Sequence, residues 1–183
     1  MLPLLTGRFG RPYRFLEECP STQRELADDA PEGETVVADH QTEGRGRLGR
    51  EWLAEPGTSV LMSVCLRPPV EAARLPELTV VAALAVADAI AAETGLAPEL
   101  KHPNDVLIAG RKVAGVLAEA SEGRVVLGIG VNVHQTAEQL PTETATSLAL
   151  EGAAVHRGDL LAAVLERLEQ RYDAWVSSAA ADR

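Results

Sequence analysis

The chain has 183 residues, 46% of them hydrophobic and 24% charged, which suits one globular domain with a sizeable core. Its formal net charge of -10 argues against a broad nucleic-acid or anionic-membrane surface, either of which needs a basic excess. The two cysteines, Cys19 and Cys65, give no disulfide framework and no metal spacing, as expected in a reducing cytoplasm.

The opening stretch is too short in apolar residues for a signal peptide, and Arg8 follows it rather than leading it. The longest apolar tract, residues 80–87, is broken by Asp88, short of the ~18 residues of a membrane span. The expectation is a soluble, cytoplasmic protein. Residues 12–18 read as a short strand. Thr22 and Glu25 then have the spacing of a capping box, which predicts a helix through Leu26 ending near Pro31 and Gly33. Residues 35–40 are rich in β-branched side chains and read as a strand. A segment of glycine and arginine follows to about Gly57, then a buried strand over 58–66. Pro76 and Glu77 open an apolar pattern that stops at Gly95, with proline at the start and glycine past the end, as in a buried helix. Runs at 105–109, 112–119 and 124–133, punctuated by Gly110 and Glu122-Gly123, predict adjacent antiparallel strands. A last helix near 159–177 places Leu161, Val164, Leu165, Leu168, Tyr172 and Trp175 on one buried face. Together these predict an α+β domain with a mixed, largely antiparallel sheet and flanking helices.

Two segments carry the chemistry. In Gly44-Arg45-Gly46-Arg47-Leu48-Gly49-Arg50, glycines let the backbone approach a ligand, and arginines supply forks that match phosphate and carboxylate oxygens. The stretch also fits the dinucleotide pattern G-x-G-x-x-G, but no helix has room to follow it before Pro56-Gly57, and no second βαβ unit is evident. The other signal is lysine usage. Of 17 basic residues only Lys101 and Lys112 are lysines, and both fall between residues 101 and 119. A compact ammonium on a thin stem is kept where arginine is used everywhere else. Pro103-Asn104-Asp105 puts Lys101 at a tight corner where one strand ends. Gly128 and Gly130 inside a strand mark close approach of ligand or backbone, and Asn132 follows them. Asn104 and Asp105 read equally well as turn residues. The four histidines have no metal-ligand spacing.

In order and spacing, Ser21-Thr22, Gln41, Gly44–Arg50 with Trp52, Lys101–Asp105, Gly110–Glu119, Gly128–Asn132 and Ala145–Leu148 resemble the biotin–protein ligases. That resemblance implies a single catalytic domain over 1–183, with the sheet-and-helix fold shared with class II aminoacyl-tRNA synthetases. It also implies the reaction: biotin and ATP, with Mg²⁺ carried on the phosphates, give biotinyl-5′-AMP, and a carrier lysine then takes the biotinyl group. The partner implied is a biotin carboxyl carrier protein or carboxylase domain. Ser21, Thr22, Gln23 and Gln41 would line the biotin site. Gly44, Arg45, Gly46 and Arg47 would close over carboxylate and phosphate, ordering when ligand binds. Arg47, Arg50, Trp52 and Asn132 would hold the nucleotide, and Lys101, with Arg47, would be catalytic; Lys112 is assigned no firm role. His102 stands where the family usually has tryptophan. Neither the N-terminal helix-turn-helix domain of the family's ligase-repressors, and with it operator binding, nor the usual C-terminal β-domain is expected. Exposed strand edges leave room for a side-by-side dimer. The rival readings are a lipoate–protein ligase, a non-catalytic biotin-binding relative and, more distantly, a nicotinamide oxidoreductase.

Overall fold

The computed structural model describes residues 5–121 and 123–181. Residues at both chain ends, and Glu122 of the expected Glu122-Gly123 turn, lie outside the described residues. Seven strands form one sheet: β1 (Tyr13–Cys19), β2 (Thr35–Gln41), β3 (Ser59–Leu66), β4 (Glu99–Lys101), β5 (Asp105–Ile108), β6 (Arg111–Ser121) and β7 (Arg124–Asn132). Their spatial order is β1-β2-β3-β7-β6-β5-β4. Only β1 and β2 run parallel; every other neighbouring pair is antiparallel. Two α-helices accompany the sheet, α1 (Glu77–Thr94) and α2 (Arg157–Ala181). This is the α+β architecture that the sequence predicts. Neither helix is long and apolar enough to cross a membrane.

Side chains alternate across a strand, so each strand sends one set of residues to each face of the sheet. Val60, Met62, Val64 and Leu66 of β3 join Val125, Leu127, Ile129 and Val131 of β7 in the main core, together with the buried faces of both helices. Alanines at 82, 83, 85 and 89 make α1 slim enough to lie buried between the sheet and α2. Gly95 ends α1 in the left-handed region, φ 72°, and returns its N–H to the Ala91 carbonyl. The six apolar residues expected on the buried face of α2 are all buried. Trp175 Nε1 donates to Glu77 Oε2 at 2.7 Å, and Arg171 pairs with Asp88 at 2.6 Å, fixing α2 against α1.

The opposite face of the sheet has only a small apolar cluster, Leu26, Ala30, Val36, Cys65 and Val126. Leu26 and Ala30 come from the segment expected to be a helix, and here the structure corrects the sequence reading. Residues 22–30 form successive turns, with Arg24 N–H on the Ser21 carbonyl and Ala30 N–H on the Ala27 carbonyl. The Thr22 hydroxyl, which a capping box would direct to its own backbone, instead meets Ser63 Oγ at 2.7 Å and Gln41 Oε1 at 3.0 Å. Tertiary partners have taken the capping group. The strand expected to end at Lys101 is β4, three residues long, and the last helix runs past its expected range at both ends.

Leu165, 1% exposed, sits where α2 meets the core. Leu165→Ala is expected to lower unfolding stability by about 2–5 kcal/mol, read as a lower denaturant midpoint at constant m-value.

Candidate active site

The centre of the uncovered sheet face is paved with glycine. Gly115 of β6 pairs with Gly130 of β7, and Gly128 pairs with Leu117. A Cβ added at Gly130 would lie 2.5 Å from the Trp52 indole, and one at Gly128 would lie 2.9 Å from the Gln23 side chain. Close approach, not turn geometry, is therefore what requires glycine at these positions. The Trp52 ring rests on this floor with its Nε1 buried and unpartnered, and the Lys112 ammonium stands 5.5 Å from the ring centroid.

Beside the floor stands a polar wall. Gln41 Oε1 accepts from the Thr22 N–H at 2.7 Å as well as from its hydroxyl. Ser21, Thr22 and Gln23 are buried, and the turn they form is held by β2 and β3. Over the floor folds the arginine-glycine loop. An isolated antiparallel bridge joins Arg45 to Glu51, Trp52 N–H donates to the Gly44 carbonyl at 2.9 Å, and Gly46 N–H donates to the Arg50 carbonyl at 2.7 Å. A Cβ at Gly44 would come within 2.3 Å of the Trp52 carbonyl oxygen, so that bridge needs glycine. The loop tip is a single 3-10 turn over residues 47–49, with Leu48 in the left-handed region at φ 58° and its side chain in solvent.

One cleft unites these parts. Ser21, Thr22, Gln23, Gln41, Arg45, Gly46, Arg47 and Trp52, all singled out in the sequence, line it, and Gly44 anchors the base of the loop. Arg47 donates to Asn104 Oδ1 at 2.8 Å, and Arg45 pairs with Glu119 at 2.8 Å. The remaining expected site residues are placed differently. Lys101, exposed on β4, pairs with Asp105, which pairs in turn with Gly115, so it stands on the cleft face of the sheet, at its edge, outside the residues that line the cleft. Arg50 lies at the loop's outer return and does not line it either. Asn132 is buried, its amide donating to the Thr146 carbonyl and accepting from Gln135.

Lys112 lines the cleft, with Nζ 2.7 Å from Asp105 Oδ1. The cause is a register shift between β5 and β6. Asp105 pairs with Gly115 and Val106 with Ala114, but Leu107 pairs with Lys112, leaving Val113 as an extra residue. A bulge of one residue changes which face the following side chains take. Val113 joins the helix-side core, and Lys112 turns to the cleft. Lysine scarcity singles out both lysines; the bulge, which brings Lys112 to the face that Lys101 shares, leaves no mark in the sequence. Asn104, which reads equally well as a turn residue, lines the cleft, and Asp105 reaches it through Lys112. Glu119 ends the Gly110–Glu119 stretch of the resemblance, but nothing in the sequence gives it a role at the site. Burial pushes the Cys19 thiol up to about 11 and also raises Cys65, so neither offers a thiolate near neutral pH. Among the described residues no group of three or more His, Cys, Asp or Glu side chains is placed to hold a metal ion.

Residues 17–135 match the biotin/lipoate A/B protein ligase family. The chain is 42% identical over 170 residues to the bifunctional ligase/repressor BirA of Bacillus subtilis, covering 87% of this chain and 52% of that protein. It is 41% identical over 154 residues to the biotin–[acetyl-CoA-carboxylase] ligase of Mycobacterium tuberculosis, covering 79% and 56%. The chain thus spans about half the length of these curated relatives. Among solved structures, the biotin protein ligase of Aquifex aeolicus in complex with biotin and ATP superposes with a TM-score of 0.81 at 36% identity, over 90% of this chain and 72% of that one. With its sheet, its helices and most of its length in common with these proteins, the chain belongs to the biotin/lipoate A/B protein ligase family.

Proposed function

We propose that this chain activates biotin as biotinyl-5′-AMP and passes the biotinyl group to a lysine of a biotin carboxyl carrier domain. The observation that carries the reading is the cleft itself, where a neutral hydrogen-bonding wall, a glycine floor and three cations converge. The relatives named as biotin ligases favour biotin over lipoate as the acid.

Each part answers one feature of the substrates. The ureido ring is neutral and rich in donors and acceptors, so burying it unpaired is unfavourable. Ser21, Thr22, Gln23 and Gln41 offer it partners. The sulfur-bearing ring fused to it is apolar, and the Trp52 ring, seated on the glycine floor at Gly130, offers it an apolar surface. The valeryl carboxylate and the α-phosphate repel each other as they approach. Arg47 and Lys112 relieve that repulsion, Lys112 standing in the role expected of Lys101. A carboxylate oxygen then forms a bond to the α-phosphorus as the bond to pyrophosphate breaks. In the second half the carrier's amine attacks the acyl carbon, AMP leaves with the bonding pair, and the amine gives up a proton. Lowering these barriers is electrostatic and positional work, which fixed cations perform best where water is excluded. Closing the Gly44–Arg50 loop over the mixed anhydride limits its hydrolysis. Arg50 and Asn132 are assigned to the nucleotide side, where magnesium enters with the triphosphate.

Incubation with biotin and MgATP should yield biotinyl-5′-AMP and pyrophosphate by mass spectrometry; a product formed from lipoate and not from biotin would reverse the assignment. Lys112→Ala is expected to lose about 100- to 1,000-fold in adenylate formation while keeping its fold, and Lys101→Ala far less. Equal losses would return the role to Lys101. Gly130→Ala adds a methyl against the Trp52 ring and should weaken biotin binding at least about tenfold by calorimetry, with far-UV circular dichroism unchanged.

A further inference from the structure

The three cleft cations are not equivalent. Lys112 is held by the Asp105 carboxylate at 2.7 Å. Arg45 is held at two points by Glu119, one nitrogen at 2.8 Å from Oε1 and the other at 3.2 Å from Oε2. Arg47 meets only the neutral carbonyl of Asn104, whose own amide is occupied by Asp105 and the Val116 carbonyl. Among the described residues Arg47 is therefore the cleft cation without a carboxylate partner. An incoming anion feels the full charge of Arg47, whereas to claim Arg45 it must displace Glu119. Glu119 also reaches the wall, where its Oε2 accepts from Gln23 Nε2 at 3.2 Å, above Gly128. One carboxylate on β6 thus ties the loop and the polar wall to the sheet.

We propose that Glu119 is a positioning residue, clasping Arg45 so that the loop lies closed over the cleft and leaving Arg47 to meet the anionic substrates. The idea deepens the biotin-activating reading and rests on it for the nature of the ligand, but the clasp is measurable without any ligand. Both side chains are about two-fifths exposed, 43% for Arg45 and 39% for Glu119, so the link is screened and its effect moderate.

The test is hydrogen exchange on the ligand-free chain, wild type against Glu119→Gln. Amides of residues 44–52 and 21–24 should exchange roughly three- to tenfold faster in the variant, with β3 and β7 amides unchanged. Raising salt from about 0.05 to about 1 M should speed loop exchange in the wild type and have little effect in the variant. Biotin should dissociate faster by a similar factor in stopped flow, while kcat for adenylate formation at saturating substrates stays within about twofold. Arg45→Gln breaks the same pair from the other side, and the double variant should be no worse than either single one. It also decides the matter if Glu119→Gln does not fold. Loop exchange that is unchanged, or that rises equally across the sheet, overturns the clasp. A wild type that binds no biotin overturns the functional reading instead, and leaves the exchange comparison to judge the clasp.

Discussion

At the middle of the sheet, β6 and β7 carry hydrogen where other strands carry side chains, and the approach of the Trp52 ring and Gln23 to Gly130 and Gly128 is possible only for that reason. Strand glycine is unfavourable in itself, since it packs nothing and is freer in the unfolded chain. Here the loss is offset on the other face. Leu127, Ile129 and Val131 alternate with the glycines of β7 and are buried against the helices. One strand thus anchors the core with its odd-numbered residues and opens the cleft with its even-numbered ones.

Electrostatics follows from that geometry. In a chain of net charge -10, three cations meet above one patch of sheet. Left unbalanced they would repel one another; Asp105 holds Lys112 and Glu119 holds Arg45 in place, and Arg47 keeps its charge without a carboxylate beside it. Substrate carboxylate and phosphates would then enter a cleft whose charge is already ordered, so little of their binding energy goes into arranging it.

Much of this fold is legible in the sequence because its signals are local and periodic. The stripe of α2, the proline and glycine that bracket α1 and the three consecutive antiparallel strands depend on neighbours a few residues away. What the sequence conceals depends on distant partners. Thr22 looks like a helix cap until Ser63 and Gln41 are brought to it. Lys112 reads as a strand residue without a firm role until the extra residue Val113 turns it toward the glycines. The loop is readable from residue type and the wall only through the family resemblance; the part Glu119 plays is readable from neither, because its partners Gln23 and Arg45 lie 96 and 74 positions earlier in the chain.

The division between the two faces also separates rigidity from motion. The face behind the sheet is closed by two packed helices, with Leu160, Val164 and Leu168 fully buried, so the floor cannot breathe without disturbing the core. The cleft face carries turns and a loop held by a handful of hydrogen bonds and half-exposed ion pairs, which places it at the low end of local stability. The proposed reaction requires the cleft to admit two substrates and then to shield a reactive anhydride from water. A firm floor beneath an easily opened cover satisfies both demands, because opening breaks only the contacts above the sheet and leaves the spacing of Lys112, Asp105 and the glycines unchanged.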